Sequence, residues 1–185
     1  MLVEGLIALC ARRPHHSRVL LEIGRSLCTT AIFGLHAAAV EDDRSTWATL
    51  SRLHATLDGV GFASRNRIDN FVAYLERYGF VEKRRSPVDR RLTLITPTER
   101  LVEIDAAFLE VLEAAARRTR GAQVEAGSFV GRPGRHLAFR RETMPWLPQF
   151  RRAAARHREI VTFLERDSGG LVLLLLLQAA GGAEG

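Results

Sequence analysis

Lysine is almost missing from this chain of 185 residues: Lys83 is the only one among 27 lysines and arginines. With the alanine excess, that bias marks a GC-rich coding sequence, so overall basicity counts for less than where the arginines sit. Cysteine is scarce too. Cys10 and Cys28 match no zinc or redox spacing. They allow one disulfide, but nothing else suggests secretion. Long apolar runs are missing: LVLLLLL at 171–177 falls far short of the roughly 18–20 residues that span a bilayer. Gly169-Gly170 and Gly181-Gly182 limit any extension of it. The opening MLVEGLIALCARR has no basic n-region and is not read as a signal peptide. A cytoplasmic protein with no membrane partner is expected. No phosphate-cradling glycine loop, nucleophile elbow or paired metal ligands stand out, and GRPG at 131–134 is only a turn signal. The expectation is therefore no enzyme, no metal and no cofactor.

What is present is 46% hydrophobic and 26% charged, the composition of an ordinary globular protein with enough length for one good core or two small ones. The formal charge of +6 and pI near 10.5 favour an anionic partner. Residues 17–40 carry Val19, Leu20, Ile23, Leu27, Ile32 and Leu35 on a broad face and predict one long helix. After EDDRS, Ser45 or Thr46 is expected to cap a helix bearing Leu50, Leu53 and Leu57. DGVGFAS at 58–64 is a tight turn. Ser64 is an N-cap, and the next helix runs to about Tyr78 with Ile68, Phe71, Val72 and Leu75 in one buried stripe. Gly79 sits at its C-cap.

The pattern then turns extended. FVEKRR is a short strand, SPVD a turn and RRLTLI a second strand. Thr96 is expected to cap the next helix, with Pro97 at its first position and Glu99 completing a capping box. That helix should run to about Arg120, with Leu101, Ile104, Phe108, Leu109 and Leu112 inward. Residues 121–150 read as a linker with short elements. Residues 151–166 read as a basic amphipathic helix with Ile160, Phe163 and Leu164 inward, and a very apolar segment with a Gly-rich tail follows.

Helix, glycine-containing turn, helix, basic hairpin and new helix is the order of a winged helix-turn-helix. The second helix of such a pair packs on one stripe and offers its other face to a major groove about 12 Å wide. Here that face holds Arg65, Asn66, Arg67, Asp69 and Asn70, side chains able to pair with guanine, adenine or cytosine edges. Ser64 and the helix N-terminal amides suit a phosphate. Lys83, Arg84, Arg85, Arg90 and Arg91 lie on the projecting loop, placed for phosphates or a narrow minor groove.

Residues 63–91, ASRNRIDNFVAYLERYGFVEKRRSPVDRR, resemble the DNA-binding core of MarR-type winged-helix transcriptional regulators. The matching positions are Ser64, Leu75, Gly79, Phe80, Val81, Ser86, Pro87, Asp89, Arg90 and Arg91, and the similarity covers about residues 46–100. The resemblance implies a mainly α fold with a small β-hairpin wing and a homodimer reading double-stranded DNA. It also implies that Asp89 orients a wing arginine by an ion pair, and that a small-molecule effector sits between the dimer helices and the DNA-binding unit. Two features depart from the family. The second wing strand is short, and 65 residues follow Arg120.

The expected organisation is packing and dimerisation helices at 1–44, the DNA-binding unit at 45–96, a connecting helix at 97–120 and a helical extension at 121–185, the possible start of a second, incomplete unit. Elsewhere the plainer reading leads. Cys28 among Leu27, Thr29 and Ile32 is a buried inert thiol rather than a redox sensor. Asp69 is a helix-surface partner of Arg65 or Arg67, and Tyr74 and Tyr78 are packing residues. Arg132 to Arg158, with eight arginines and one glutamate, is a solvated face before it is a contact to DNA flanks. The expected function is a sequence-specific, double-stranded DNA-binding transcriptional regulator. The alternative is a protein-interaction module that docks a partner through its apolar C-terminal segment.

Overall fold

Glu22 divides what the apolar pattern predicts as a single helix. In this computed structural model, described for residues 2–12, 14–86, 88–120 and 129–182, α2 (Pro14–Leu20) ends and α3 (Ile23–Ala37) begins across a bend at Leu21 and Glu22. Glu22 is extended, and its buried carboxylate accepts from the backbone N–H groups of Gly24 and Arg25, both at 3.1 Å. Those donors are orphaned at any helix start, and the carboxylate satisfies them locally instead of letting the helix run through. A Cβ on Gly24 would come within 3.0 Å of the Phe62 carbonyl, so the bend also brings α3 against the following turn.

Ahead of this pair lies α1 (Leu2–Arg12), and after it a short 3-10 turn at Arg44–Thr46. Ser45 and Thr46 belong to that turn and cap nothing. Thr49 caps α4 (Leu50–Asp58), its hydroxyl accepting from Arg52 N–H at 3.2 Å. Ser64 caps α5 (Arg65–Arg77), as the sequence predicts, with a long 3.4 Å bond from Arg67 N–H. Gly79 ends that region at φ +69°, a left-handed conformation that costs glycine nothing.

The sheet is a two-stranded antiparallel hairpin, β1 (Val81–Arg85) on β2 (Thr93–Pro97), with Lys83 opposite Ile95 and Arg85 opposite Thr93. Outside it, Thr49 bridges Leu94, and Ile95 N–H donates to Ala48 at 2.8 Å. β2 runs through Thr96 and Pro97, so the predicted cap at Thr96 is not formed. Its place is taken by Thr98 ahead of α6 (Glu99–Arg120), whose hydroxyl turns back to donate to the Gly79 carbonyl at 2.8 Å.

The predicted stripe of α5, Ile68, Phe71, Val72 and Leu75, is buried in one cluster with Leu27, Ile32 and Phe33 of α3, Leu53 and Leu57 of α4, Phe80, Ile95 and Leu101. Full burial of such a side chain is worth roughly 1.5–3 kcal/mol. Leu109 and Ile104 face inward on α6 as expected, while Leu112 is exposed at the edge.

The segment read as a linker is more helical than its glycines and prolines suggest. After Phe129 come α7 (Pro133–Thr143), a 3-10 turn at Met144–Trp146, α8 (Leu147–Ala155), α9 (Arg158–Leu164) and α10 (Gly169–Gly182). The basic helix expected over 151–166 breaks at Arg156–His157, and Ile160 is exposed rather than inward. Leu147 joins the main cluster, and Leu174 of α10 packs with Leu6, Cys10 and Leu21. Pro87, residues 121–128 and the end of the Gly-rich tail lie outside the described residues. The described residues are mostly helical with one small sheet, and none of their helices is long and apolar enough to cross a membrane.

α7 is fastened by a buried ion cluster. Asp105 of α6 is fully enclosed. Arg140 grips both its oxygens, Nε to Oδ2 at 2.7 Å and Nη2 to Oδ1 at 2.5 Å, and His136 Nε2 lies 2.6 Å from Oδ2. Arg140 also donates to the Thr30 hydroxyl of α3 at 3.3 Å. Arg140 is thus removed from the solvated basic face to which the sequence assigns it.

Candidate nucleic-acid interface

A helix that buries Ile68, Phe71, Val72 and Leu75 leaves a ridge on the far side. At 100° per residue this ridge is Asn66, Asn70, Ala73 and Arg77, four positions at i, i+4, i+7 and i+11. All four are exposed. No carboxylate stands among them, so the ridge offers two amides and a guanidinium. Asn66 and Asn70 are predicted site residues that the fold brings together. Arg77 escapes sequence reading, although its spacing from Asn70 and Asn66 is the signal that finds it.

The other predicted residues of α5 are drawn to its flanks. Arg65 donates to Asp58 at 2.6 Å, and that hydrogen bond holds the Asp58 carboxyl below its ordinary range. Arg67 is pulled the other way, 3.2 Å from Glu22 and 3.5 Å from the Glu165 carbonyl. Asp69 pairs with His54 at 2.8 Å rather than with either arginine. Tyr74 and Tyr78 pack, as expected, against His15, whose ring nitrogen lies 2.7 Å from the Tyr74 hydroxyl. Between α3 and α5 a cavity of about 310 Å³ is lined by Arg18, Glu22, Arg25, Arg67, Asn70 and Tyr74.

No protein-family profile matches the chain, and no curated protein matches it.

The hairpin stands beside α5, tied to it by Lys83, whose ammonium meets Glu76 at 2.7 Å. Its tip is stitched by Ser86. The buried hydroxyl accepts from the N–H groups of Val88 and Asp89, both at 3.3 Å, and the Ser86 N–H donates to Leu92 at 3.0 Å. Arg85 reaches across the loop to the Arg90 carbonyl at 3.3 Å. Asp89 accepts from the backbone N–H of Arg91 at 3.0 Å, so it fixes the main chain under Arg91 where the family resemblance implies a grip on a guanidinium. Arg84, Arg85, Arg90 and Arg91 are all exposed. Arg84 pairs with Glu82 at 2.6 Å, but both are largely in solvent, where such pairs are worth about 0–1 kcal/mol and exchange readily for a phosphate. The hairpin is short and internally braced, with Arg84 and Arg85 exposed on β1 and Arg90 and Arg91 exposed just before β2.

Both cysteines are free and buried. Burial pushes the Cys10 thiol up to about 11, and burial with the nearby Glu22 charge raises Cys28 further.

Proposed function

We propose that residues 48–97 form a winged helix-turn-helix and that the chain is a sequence-specific, double-stranded DNA-binding transcriptional regulator. The element order supports this: α3, the extended Ala48–Thr49 pairing with β2, α4, a turn, α5 and the hairpin. The observation that carries the reading is the exposed Asn66–Asn70–Ala73–Arg77 ridge lying beside a hairpin that projects exposed arginines. Asn reads adenine and Arg reads guanine in a major groove, while the wing arginines serve phosphates or a minor groove. Ser64 and the first amides of α5 supply a further phosphate contact. Two copies are proposed to act together, since recognition helices one turn apart on B-DNA double the contacts. An effector would be placed in the cavity between α3 and α5, where it touches Arg67 and Asn70 directly.

The test is selection of genomic fragments with the purified protein, followed by affinity measurements across a salt series. Arg90→Ala with Arg91→Ala is expected to weaken binding to all sequences and to flatten the salt slope by about 1–2. Asn66→Ala or Asn70→Ala is expected to relax base preference, by about 1–3 kcal/mol at the base affected. A wing variant that binds as tightly as the parent at moderate salt would sink the wing assignment. Failure to enrich any sequence would sink the reading as a whole.

A second reading, a protein-interaction module, is favoured by one observation: Val172, Leu175, Leu176 and Leu177 leave an apolar face of α10 exposed. Docking on that face would be nearly indifferent to salt, whereas DNA binding would weaken steeply as salt rises.

A further inference from the structure

The C-terminal arm carries a second basic surface, and the fold sets it against the turn between α4 and α5. Arg151, Arg152, Arg156 and Arg158 lie on α8 and the start of α9, and all four are exposed. None is ion-paired to a described residue, unlike Arg140 in its buried cluster. No acidic residue stands between Glu142 and Glu159. Four unneutralised guanidiniums within eight residues make a concentrated positive surface of the kind that exchanges its counterions for phosphates.

The position of this surface is fixed by packing. Leu147 anchors α8 in the main core, and the Phe150 ring meets Phe62 edge to face at 6.0 Å. The Arg151 guanidinium lies over Gly61, its carbon 3.7 Å from where a Cβ would stand. Gly61 and Phe62 belong to the turn that precedes Ser64 and the N-terminus of α5. When the second helix of such a pair enters the major groove, the first crosses the phosphate backbone, and the turn between them runs beside that backbone. A basic helix fastened to the turn therefore meets the next phosphates along the strand.

The geometry points to α8 and the start of α9 as a second DNA-backbone surface, continuous with the helix-turn-helix and contacting phosphates that flank the sequence read by α5. This rests on the DNA-binding reading given above. The contacts carry no base information, so they add affinity and salt dependence without altering sequence preference. The four side chains extend the footprint beyond the short wing, which by itself supplies few phosphate contacts.

The experiment compares the full-length parent with Arg151→Ala/Arg152→Ala/Arg156→Ala/Arg158→Ala. The probe is a labelled duplex that carries the selected site with one helical turn of flanking DNA on each side, titrated across a salt series. At about 0.9 in log–log slope per phosphate neutralised, the variant is expected to lose about 2–4 from the parent's slope. Selection with the variant should return the same sequence, and its thermal unfolding should match the parent's, because all four side chains are exposed. The corresponding quadruple lysine variant keeps the charge and should keep the slope. An unchanged slope in the alanine variant, with the Arg90/Arg91 variant showing its own loss, overturns this inference and leaves the DNA-binding reading intact. Tighter binding by the variant also overturns it, since the arm would then be a cover over α5. If the parent binds no duplex, both readings fall.

Discussion

Glu22 and Arg67, 45 residues apart in sequence, meet at 3.2 Å where α2 gives way to α3 and α5 begins. The carboxylate is buried and already accepts from two backbone N–H groups, while the guanidinium is half in solvent. The two partners are thus unequal. Removing Glu22 deletes a helix cap and leaves Arg67 facing an uncompensated site. Removing Arg67 leaves Glu22 with its backbone donors. Glu22→Ala is expected to cost about 1–2 kcal/mol in urea denaturation, the value of a lost cap, and Arg67→Ala less. Equal losses would show that the ion pair, not the cap, carries the stabilisation. In the proposed DNA binding, Arg67→Ala is expected to matter less than Asn66→Ala, since Arg67 is already turned toward Glu22.

Asp105 is held ionised inside the protein. Burial pushes its carboxyl up, but the Arg140 charge and the hydrogen bonds from His136 and Arg140 outweigh burial and hold it below the ordinary 3.8. A depressed acid stabilises the fold above its unfolded value, and that contribution is lost as pH falls through the folded value. The parent is therefore expected to lose stability on acidification below 3.8. Asp105→Asn, which leaves Arg140 buried without a counter-charge, should cost about 3–5 kcal/mol at neutral pH and lack that part of the acid slope. Denaturation midpoints measured at neutral and acid pH for both proteins check this, and parallel pH profiles would refute it.

Thiol reagents report on the two cysteines. Their raised pKa values and burial leave almost no thiolate to react at neutral pH. Both should resist labelling in the native protein and react at once in denaturant. Where the proposed DNA binding is measured, the parent and Cys28→Ser should respond alike to oxidant. Rapid native labelling of Cys28 would restore the redox-sensor reading.

The Ser86 hydroxyl accepts two N–H bonds at the hairpin tip. Ser86→Ala removes both acceptor contacts from a buried site, at a cost of about 1–3 kcal/mol. It should weaken the proposed DNA binding through a loosened turn, with base preference unchanged in selection. Loss of base preference instead would mean that the wing positions α5.

What could be read from the sequence was local. The stripe Ile68, Phe71, Val72 and Leu75, the cap at Ser64 and the left-handed Gly79 follow from spacing and from residue chemistry within one or two turns, and the fold bears them out. The amides Asn66 and Asn70 fall on the ridge opposite that stripe for the same reason. The misses depend on distant partners. A break at Glu22 is invisible to hydrophobic periodicity, because Leu20, Ile23 and Leu27 keep their rhythm across it. Thr96 has the chemistry of a cap, but its backbone is taken up pairing with Glu82. Arg140 looks like one more solvated arginine until Asp105, 35 residues earlier, is brought against it. Arg65 and Arg67 are turned aside by Asp58 and Glu22 for the same kind of reason.

The Asp105 cluster also dictates an order of events during synthesis. Asp105 leaves the ribosome 35 residues ahead of Arg140, and Thr30, the third wall of the cluster, 110 residues ahead of it. Until Arg140 emerges, sealing α6 into the interior would strand the Asp105 carboxylate without its guanidinium partner. The core shared by α4, α5, the hairpin and α6 is therefore expected to stay open on one side until a residue well beyond those elements has been made.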